Sequence, residues 1–293
     1  MPNITQLNKD NNFDIVNLYC IIDDAIKELG FDKTRTGRRP VLSLSDIATI
    51  SLIKSRYGIK SWKQLYLLLQ DMFGHYFQLP AYQNFILSMN KGSYVLLLVI
   101  NSILSYNRNH SHPVKFVDST PVPVCSKLHI SSHKVMSDYA TISKSTTGWY
   151  YGLKLHSVID YENTPLYFTF TLANIDDRVP LESIFRLFSS SSTNSSLSSI
   201  FVADKGYQSR EKEELAKEYN HILLTGKRKS KKLRTLASQL DIHLLHQRAR
   251  IEAIFSLLKE RLNLVNTLPR SVLGYLSHYI HTIFGYLIGK CVS

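Results

Sequence analysis

Cysteine is scarce: Cys20, Cys125 and Cys291 are the only three in 293 residues. Odd in number and widely spaced, they support neither a disulfide framework nor a paired-cysteine zinc site, and a reducing compartment fits them best. The close histidine pairs, His129 with His133, His243 with His246 and His278 with His281, lack the cysteine or glutamate partners that zinc would require. They read as structural or surface residues. Residues 1–12 are polar and lack the apolar core of an export signal. Long uninterrupted apolar runs are also missing. Residues 94–104 are too short to span a bilayer, and 272–288 are broken by Ser277, His278 and His281, so both read as buried core helices. Acid is the last shortage: 23 Asp and Glu against 35 Lys and Arg leave a formal net charge of +12. A polyanion is therefore the leading class of partner.

With 44% hydrophobic residues the chain can bury a sizeable core, and its length suggests two domains. Residues 13–106 carry helical periodicity, beginning with Ile15, Leu18, Ile22 and Ile26 before a stop at Gly30. Ser45 is placed to cap a second helix ending near Gly58, and Ser61 with Gln64 to cap a third. Helix, short glycine turn, helix is the outline of a helix-turn-helix, with Lys33, Arg35, Arg38 and Arg39 just ahead of it. A purely structural bundle has the same outline. The polar stretch 107–113 marks a boundary, dividing the chain into a helical N-terminal domain, 1–108, and a second domain, 109–293.

Strands dominate the start of the second domain. Residues 114–117 form the first, with Pro121 and Pro123 keeping the next stretch irregular, and 152–159 and 166–172 form a hairpin around the turn 162–165. A helix over 177–188, a strand over 200–203, a helix over 211–219 and a strand over 221–224 follow. This order, a hairpin and then strands alternating with helices, is an α/β, RNase H-like plan with a mixed sheet.

Two of the apolar strands stop at a carboxylate: Asp118 after Phe116-Val117, and Asp204 after Phe201-Val202-Ala203. Ligands gather at such strand ends, and paired carboxylates there suit a divalent cation. A helix over 246–264 supplies a third acid, Glu252, on a stripe with Arg248, Phe255 and Lys259. Read as chemistry, this stripe offers a cation ligand flanked by phosphate contacts. Read as surface, it is a run of ion pairs stabilising the helix by about 0.2–0.5 kcal/mol each. The most basic stretch, 226–234, places six cations in nine residues, among them Lys227, Arg228, Lys229, Lys231 and Lys232, and reads as a phosphate-contacting loop. Tyr207 suits either stacking beside a cleaved bond or packing behind its strand, and Trp149 suits a wedge beside an unpaired base or, as the preferred reading, a packed aromatic. Asp138, Asp160, Asp176 and Asp177 read as turn and cap residues. Lys154 and His156 are given no catalytic role.

Taken together, Asp118 in Val-Asp-Ser-Thr, Asp204 in Ala-Asp-Lys-Gly-Tyr, and Arg248, Glu252 and Lys259 resemble the DDE transposases of bacterial insertion sequences. Within them the chain is most similar to the insertion-sequence 982 family. Where the related Tyr-Arg-Glu-Lys motif has its tyrosine, this chain has Leu245. The resemblance implies an RNase H-like catalytic domain in which Asp118, Asp204 and Glu252 are catalytic and hold two Mg²⁺ ions, with Mn²⁺ able to substitute. It implies binding of double-stranded DNA at terminal inverted repeats, then strand cleavage and transfer, in a homodimer or larger assembly in the bacterial cytoplasm. Tyr207, Arg248, Lys259 and the basic loop are the DNA contacts it implies. A purely hydrolytic nuclease and an inactive, transposase-derived DNA-binding protein are the alternatives.

Overall fold

The computed structural model describes residues 15–28, 30, 40–146, 148–189, 199–226 and 239–292. The basic residues Lys227, Arg228, Lys229, Lys231 and Lys232 lie outside these, as do Lys33, Arg35, Arg38 and Arg39. The chain divides into two compact units, one taking residues up to Val99 and again from Tyr279, the other Ile100–His278. The sequence division at residue 108 differs in leaving the end of the chain with the second domain.

In the first unit, α1 (Ile15–Glu28) buries Ile15, Leu18, Ile22 and Ile26, the helical stripe visible in the sequence. Helix α2 (Leu44–Arg56) is capped by Ser43 rather than Ser45. The Ser43 hydroxyl accepts from the Asp46 amide at 3.0 Å, and the Asp46 carboxylate accepts from the Ser43 amide at 2.7 Å. This reciprocal pair satisfies two amides that a helix start leaves open. Ser45 is the second residue of the helix and donates to Asp23 at 2.5 Å. Gly58, at φ 59°, takes the left-handed turn to α3 (Trp62–Met72), which opens at Ser61. Helix α4 (Tyr82–Asn109) follows and is long and apolar enough, by length and composition, to cross a membrane. Its apolar run is not wholly a core face, because Tyr94 is 75% exposed.

The last helix, α9 (Val272–Val292), contributes its residues from Tyr279 to the first unit. His281 is the reason. Its Nε2–H donates to the Met89 carbonyl at 3.0 Å, Nδ1 meets Ser51 Oγ at 2.6 Å, and the ring packs edge-on against Trp62. Burial lowers its pKa to about 3, so the imidazole stays neutral.

The second unit is built on a six-stranded sheet among the described residues, ordered β2-β3-β1-β5-β6, with β4 also paired to β3. Strands β1 (Val114–Pro123), β3 (Gly148–Asp160) and β4 (Pro165–Leu172) are antiparallel neighbours, and β2 (Thr141–Ser145) extends the β4 side. Strands β5 (Ser199–Ala203) and β6 (His221–Thr225) run parallel to β1. An antiparallel trio joined to a parallel pair through the first strand is the RNase H-like plan.

Strand β1 corrects the expectation that its prolines end it. The Val114 carbonyl accepts from Tyr161 beside β3, so even-numbered residues of β1 turn their amides toward β3 and odd-numbered ones away. Pro121 and Pro123 are odd. Their missing N–H groups fall on the side where β5 pairs only as far as Val117. Gly152, opposite Pro123, is required by this pairing: a Cβ there would overlap the Val122 carbonyl oxygen and lie 2.9 Å from Pro123 Cα. Gly152→Ala is expected to destabilise the fold by about 1–3 kcal/mol, read as a lowered denaturation midpoint.

Side chains alternate across a strand. Val117, Phe201 and Ala203 pack with Leu181, Ile184 and Phe185 of α5 (Leu181–Phe188) and Ala216 of α6 (Arg210–Glu218). Asp118, next to Val117, points to the opposite face. There α7 (Gln239–Gln247) meets β5 and β6, and α8 (Ala249–Ser256) meets β1 and β3. The helix read over 246–264 is α8 carried on by a π turn, Leu257–Arg261, in which the Leu262 amide reaches back to the Leu257 carbonyl at 3.1 Å; a separate helix, α7, ends just ahead of it at Gln247.

Candidate active site

Two apolar strands and one helix start bring three carboxylates together. The parallel register of β1 and β5 ends at Val117 opposite Ala203, so Asp118 and Asp204 are the next residues on neighbouring strands. The two strands stop pairing with each other there, while β1 continues along β3 to Pro123 and β5 ends. Asp204 then begins a 3₁₀ turn over Lys205–Tyr207. Glu252 lies one turn into α8, four residues after Arg248, and the helix presents both toward the strand ends.

Arg248 is the hub of this arrangement. Its Nη1 donates to Asp118 Oδ2 at 3.0 Å, and its Nη2 meets Glu252 Oε1 at 3.1 Å and Asp204 Oδ1 at 3.6 Å. One guanidinium against three carboxylates leaves two negative charges in excess. The Ser119 amide donates to Asp118 Oδ1 at 2.8 Å and holds that carboxylate in place. Burial pushes the Asp118 pKa up to about 6; the Ser119 amide and Arg248 pull it down, and the charges of Asp204 and Glu252 raise it further. Desolvation therefore outweighs the arginine.

The donor chemistry fits a hard divalent cation: three carboxylates surround one positive group, and the guanidinium stands where that cation would be. With Arg248 between them, no group of three His, Cys, Asp or Glu side chains among the described residues is close enough to hold an ion jointly.

A second set of groups flanks Asp118 from the other face of β1. Ser119 Oγ donates to Asp177 Oδ1 at 2.8 Å, and Lys154 Nζ donates to the same oxygen at 2.8 Å and to the Ile175 carbonyl at 2.5 Å. Asp177 is therefore no helix cap; α5 begins at Leu181, with Pro180 at its N-cap position. It ties the residue after Asp118 to β3 and to the loop that follows β4. Only the fold reveals this, since Ser119 and Asp177 lie 58 positions apart. Asp160 and Asp176 do keep the turn role read from the sequence, accepting from the amides of Glu162 and Arg178. His156 is buried against Thr171, its pKa lowered to about 4 chiefly by burial.

Tyr207 corrects the expectation of a DNA contact. It is only 2% exposed and packs in the core with Val117 and Phe185. Its hydroxyl is buried without a well-formed hydrogen bond. Burial and then the charges of Asp118, Asp177 and Asp204 hold the phenol well above its ordinary pKa, with Ser119 acting weakly in the other direction. Phe255 likewise turns into the core, which splits the stripe expected from helical spacing. Lys259 falls in the π turn, half-buried, with its pKa lowered by burial and partly restored by Glu260. Trp149 is 57% exposed, not packed, and Lys144 lies 6.0 Å from its ring.

Residues 108–272 match the family described as "Transposase DDE domain". No curated protein aligns significantly with the chain. Among solved structures, the pre-cleavage Mos1 transpososome is 13% identical with a TM-score of 0.27, covering 92% of this chain and 85% of its own. The Mos1 transposase paired-end complex with left transposon end is 11% identical with a TM-score of 0.24, over the same shares of each chain. At such scores the likeness in chain path is faint.

Proposed function

Because the chain belongs to the transposase DDE-domain family, which spans more than half of it, we propose that it is a metal-dependent DNA transposase. On this reading it binds the terminal inverted repeats of its own element, cleaves there and joins the freed ends to target DNA. The observation that carries the reading is the convergence of Asp118, Asp204 and Glu252, from the middle of β1, the end of β5 and a helix, on one cationic centre. The narrower assignment, to the insertion-sequence 982 family, rests on Asp204-Lys205-Gly206-Tyr207 and on the spacing of Arg248, Glu252 and Lys259.

Asp118, Asp204 and Glu252 would hold Mg²⁺ or Mn²⁺, and a bound metal pair would supply Lewis-acid stabilisation of the attacking and leaving oxygens of a phosphodiester. The chain's own contribution is to position. Ser119 and Asp177 fix the part of β1 that carries Asp118. Arg248, once off the carboxylates, offers a planar fork of donors to a phosphate. The same carboxylates can serve hydrolysis by water and attack by a 3′-hydroxyl, so neither step needs a protein nucleophile. A dimer or larger assembly would pair the two element ends.

The test is a supercoiled plasmid carrying the DNA that flanks this gene, incubated with purified protein and Mg²⁺ or EDTA, with strand ends mapped. Cuts at the repeat boundaries that need metal, and joined products, are the expected result. Cuts without joining would indicate the hydrolytic alternative, and binding without cuts the idle DNA-binding one. The basic segment gives a second expectation. Neutralising Lys227, Arg228, Lys229, Lys231 and Lys232 should weaken duplex binding and flatten its salt slope by up to about 0.9 for each phosphate no longer neutralised. An unchanged slope in a fluorescence-anisotropy titration would remove this segment from the interface.

A further inference from the structure

A guanidinium has only hydrogen-bond donors and no lone pair to give a metal. The Arg248 fork occupies Asp118 Oδ2, Asp204 Oδ1 and Glu252 Oε1, oxygens a divalent cation would also need. Arginine and cation therefore exclude each other from this position. The obstruction is built into the sequence, because Arg248 and Glu252 are one helical turn apart and reach the strand ends together. It is not sealed in: the Arg248 side chain is 22% exposed, while Asp204 and Glu252 are 51% and 56% exposed.

We infer that Arg248 is a displaceable counter-ion, which neutralises part of the Asp118, Asp204 and Glu252 charge before metal loading and must leave these carboxylates for a cation to bind. The inference rests on the reading of those acids as the metal site. It gives Arg248 two alternating partners, carboxylates in the unloaded protein and a phosphate in the loaded complex. Metal affinity then includes the cost of releasing the arginine, and anything that offers the guanidinium another anion raises that affinity.

The experiment is a titration of the full chain with Mn²⁺, following the electron paramagnetic resonance of the free ion without DNA, alongside the thermal midpoint with and without Mn²⁺. Arg248→Gln is expected to bind Mn²⁺ about 10-fold more tightly than wild type, within the usual range of coupling effects. Its midpoint should be lower without metal and should rise more on Mn²⁺ addition. Lys205→Gln separates competition from a general change in field. It removes the cation next to Asp204 in the chain, one that is not ion-paired to any of the three acids in the described structure, and should move the affinity less than about 2-fold. An equal rise in Lys205→Gln, or an unchanged or weaker affinity in Arg248→Gln, overturns the inference while leaving a metal site in place. Mn²⁺ binding in neither wild type nor Arg248→Gln defeats the metal-site reading and this inference with it. Should Arg248→Gln fold poorly, Arg248→Lys serves. It keeps the charge but loses the fork that spans three carboxylates, and should bind Mn²⁺ more tightly than wild type by a smaller factor.

Discussion

Glu252→Gln and Asp204→Asn are each expected to lower strand cleavage at least about 1,000-fold while leaving duplex binding within a few-fold of wild type. The size follows from the role. A carboxylate that anchors a catalytic cation carries several kcal/mol of transition-state stabilisation, and each 1.36 kcal/mol is worth a factor of about ten. The selectivity follows from position. Both side chains are about half exposed, 56% for Glu252 and 51% for Asp204, so an isosteric amide costs little packing. Each change also removes a negative charge facing the substrate, so duplex affinity should hold or rise. Asp118→Asn should abolish cleavage too, but it is a poorer test, because its side chain is only 16% exposed and is bonded to both Arg248 and the Ser119 amide. Cleavage by Glu252→Gln within tenfold of wild type, measured on the plasmid substrate, would reassign the third acid.

The second large effect concerns stability. Lys54 in α2 is only 4% exposed, its ammonium lies 5.1 Å from the centre of the Trp62 ring, and burial lowers its pKa from 10.5 to about 8. At about 1.36 kcal/mol per pKa unit the charged form is disfavoured by roughly 3 kcal/mol. The tryptophan face returns about 1 kcal/mol. Lys54→Met keeps the length, removes the charge and should raise unfolding free energy at pH 7 by about 2 kcal/mol. The slope with pH has the same sign as for a carboxylate whose pKa folding depresses, but it falls in an alkaline window. Between about pH 8 and 10.5 the unfolded chain holds a proton that the folded chain has released, so wild-type stability rises with pH across this window. The advantage of Lys54→Met should therefore shrink across it. Urea denaturation of both proteins at pH 7 and pH 10 checks this, and a variant no more stable than wild type at pH 7 would show that Lys54 is solvated.

The three acids were legible in the sequence because each follows a pattern with a local cause. An apolar run that breaks at Asp118 or Asp204 announces a change of surroundings along the strand, although only β5 ends at its carboxylate while β1 runs on to Pro123, and Arg248 with Glu252 announces a helix turn. The pairing of those features was less legible. That Val117 sits opposite Ala203 depends on sheet register, and that Arg248 bonds to Asp118 depends on a contact spanning 130 positions. Local rules also competed. Ser43 and Ser45 both precede an apolar helix, and Ser43 prevails because Asp46 stands three residues on to return its hydrogen bond. Pro121 and Pro123 looked like breakers because composition does not reveal which strand edge is free. The π turn at Leu257–Arg261 shifts Lys259 off its helical register, and nothing in the spacing of residues 246–264 signals it.

Where β5 stops pairing at Val117, the rest of β1 borders the carboxylates with no strand paired on that side among the described residues. A bare strand edge is ordinarily a template on which a segment of another chain can zip, burying whatever lies beside it. Here the ladder has gaps: of the odd-numbered residues beyond Val117 only Ser119 has an amide, and that one already donates to Asp118, while Pro121 and Pro123 have none. A peptide strand laid along this border would leave carbonyls unanswered at consecutive rungs. A ligand that asks for cations and carboxylates rather than amides loses nothing by the same gaps. The two prolines thus act as insulation, interrupting this border of the acidic centre as a template for strand exchange.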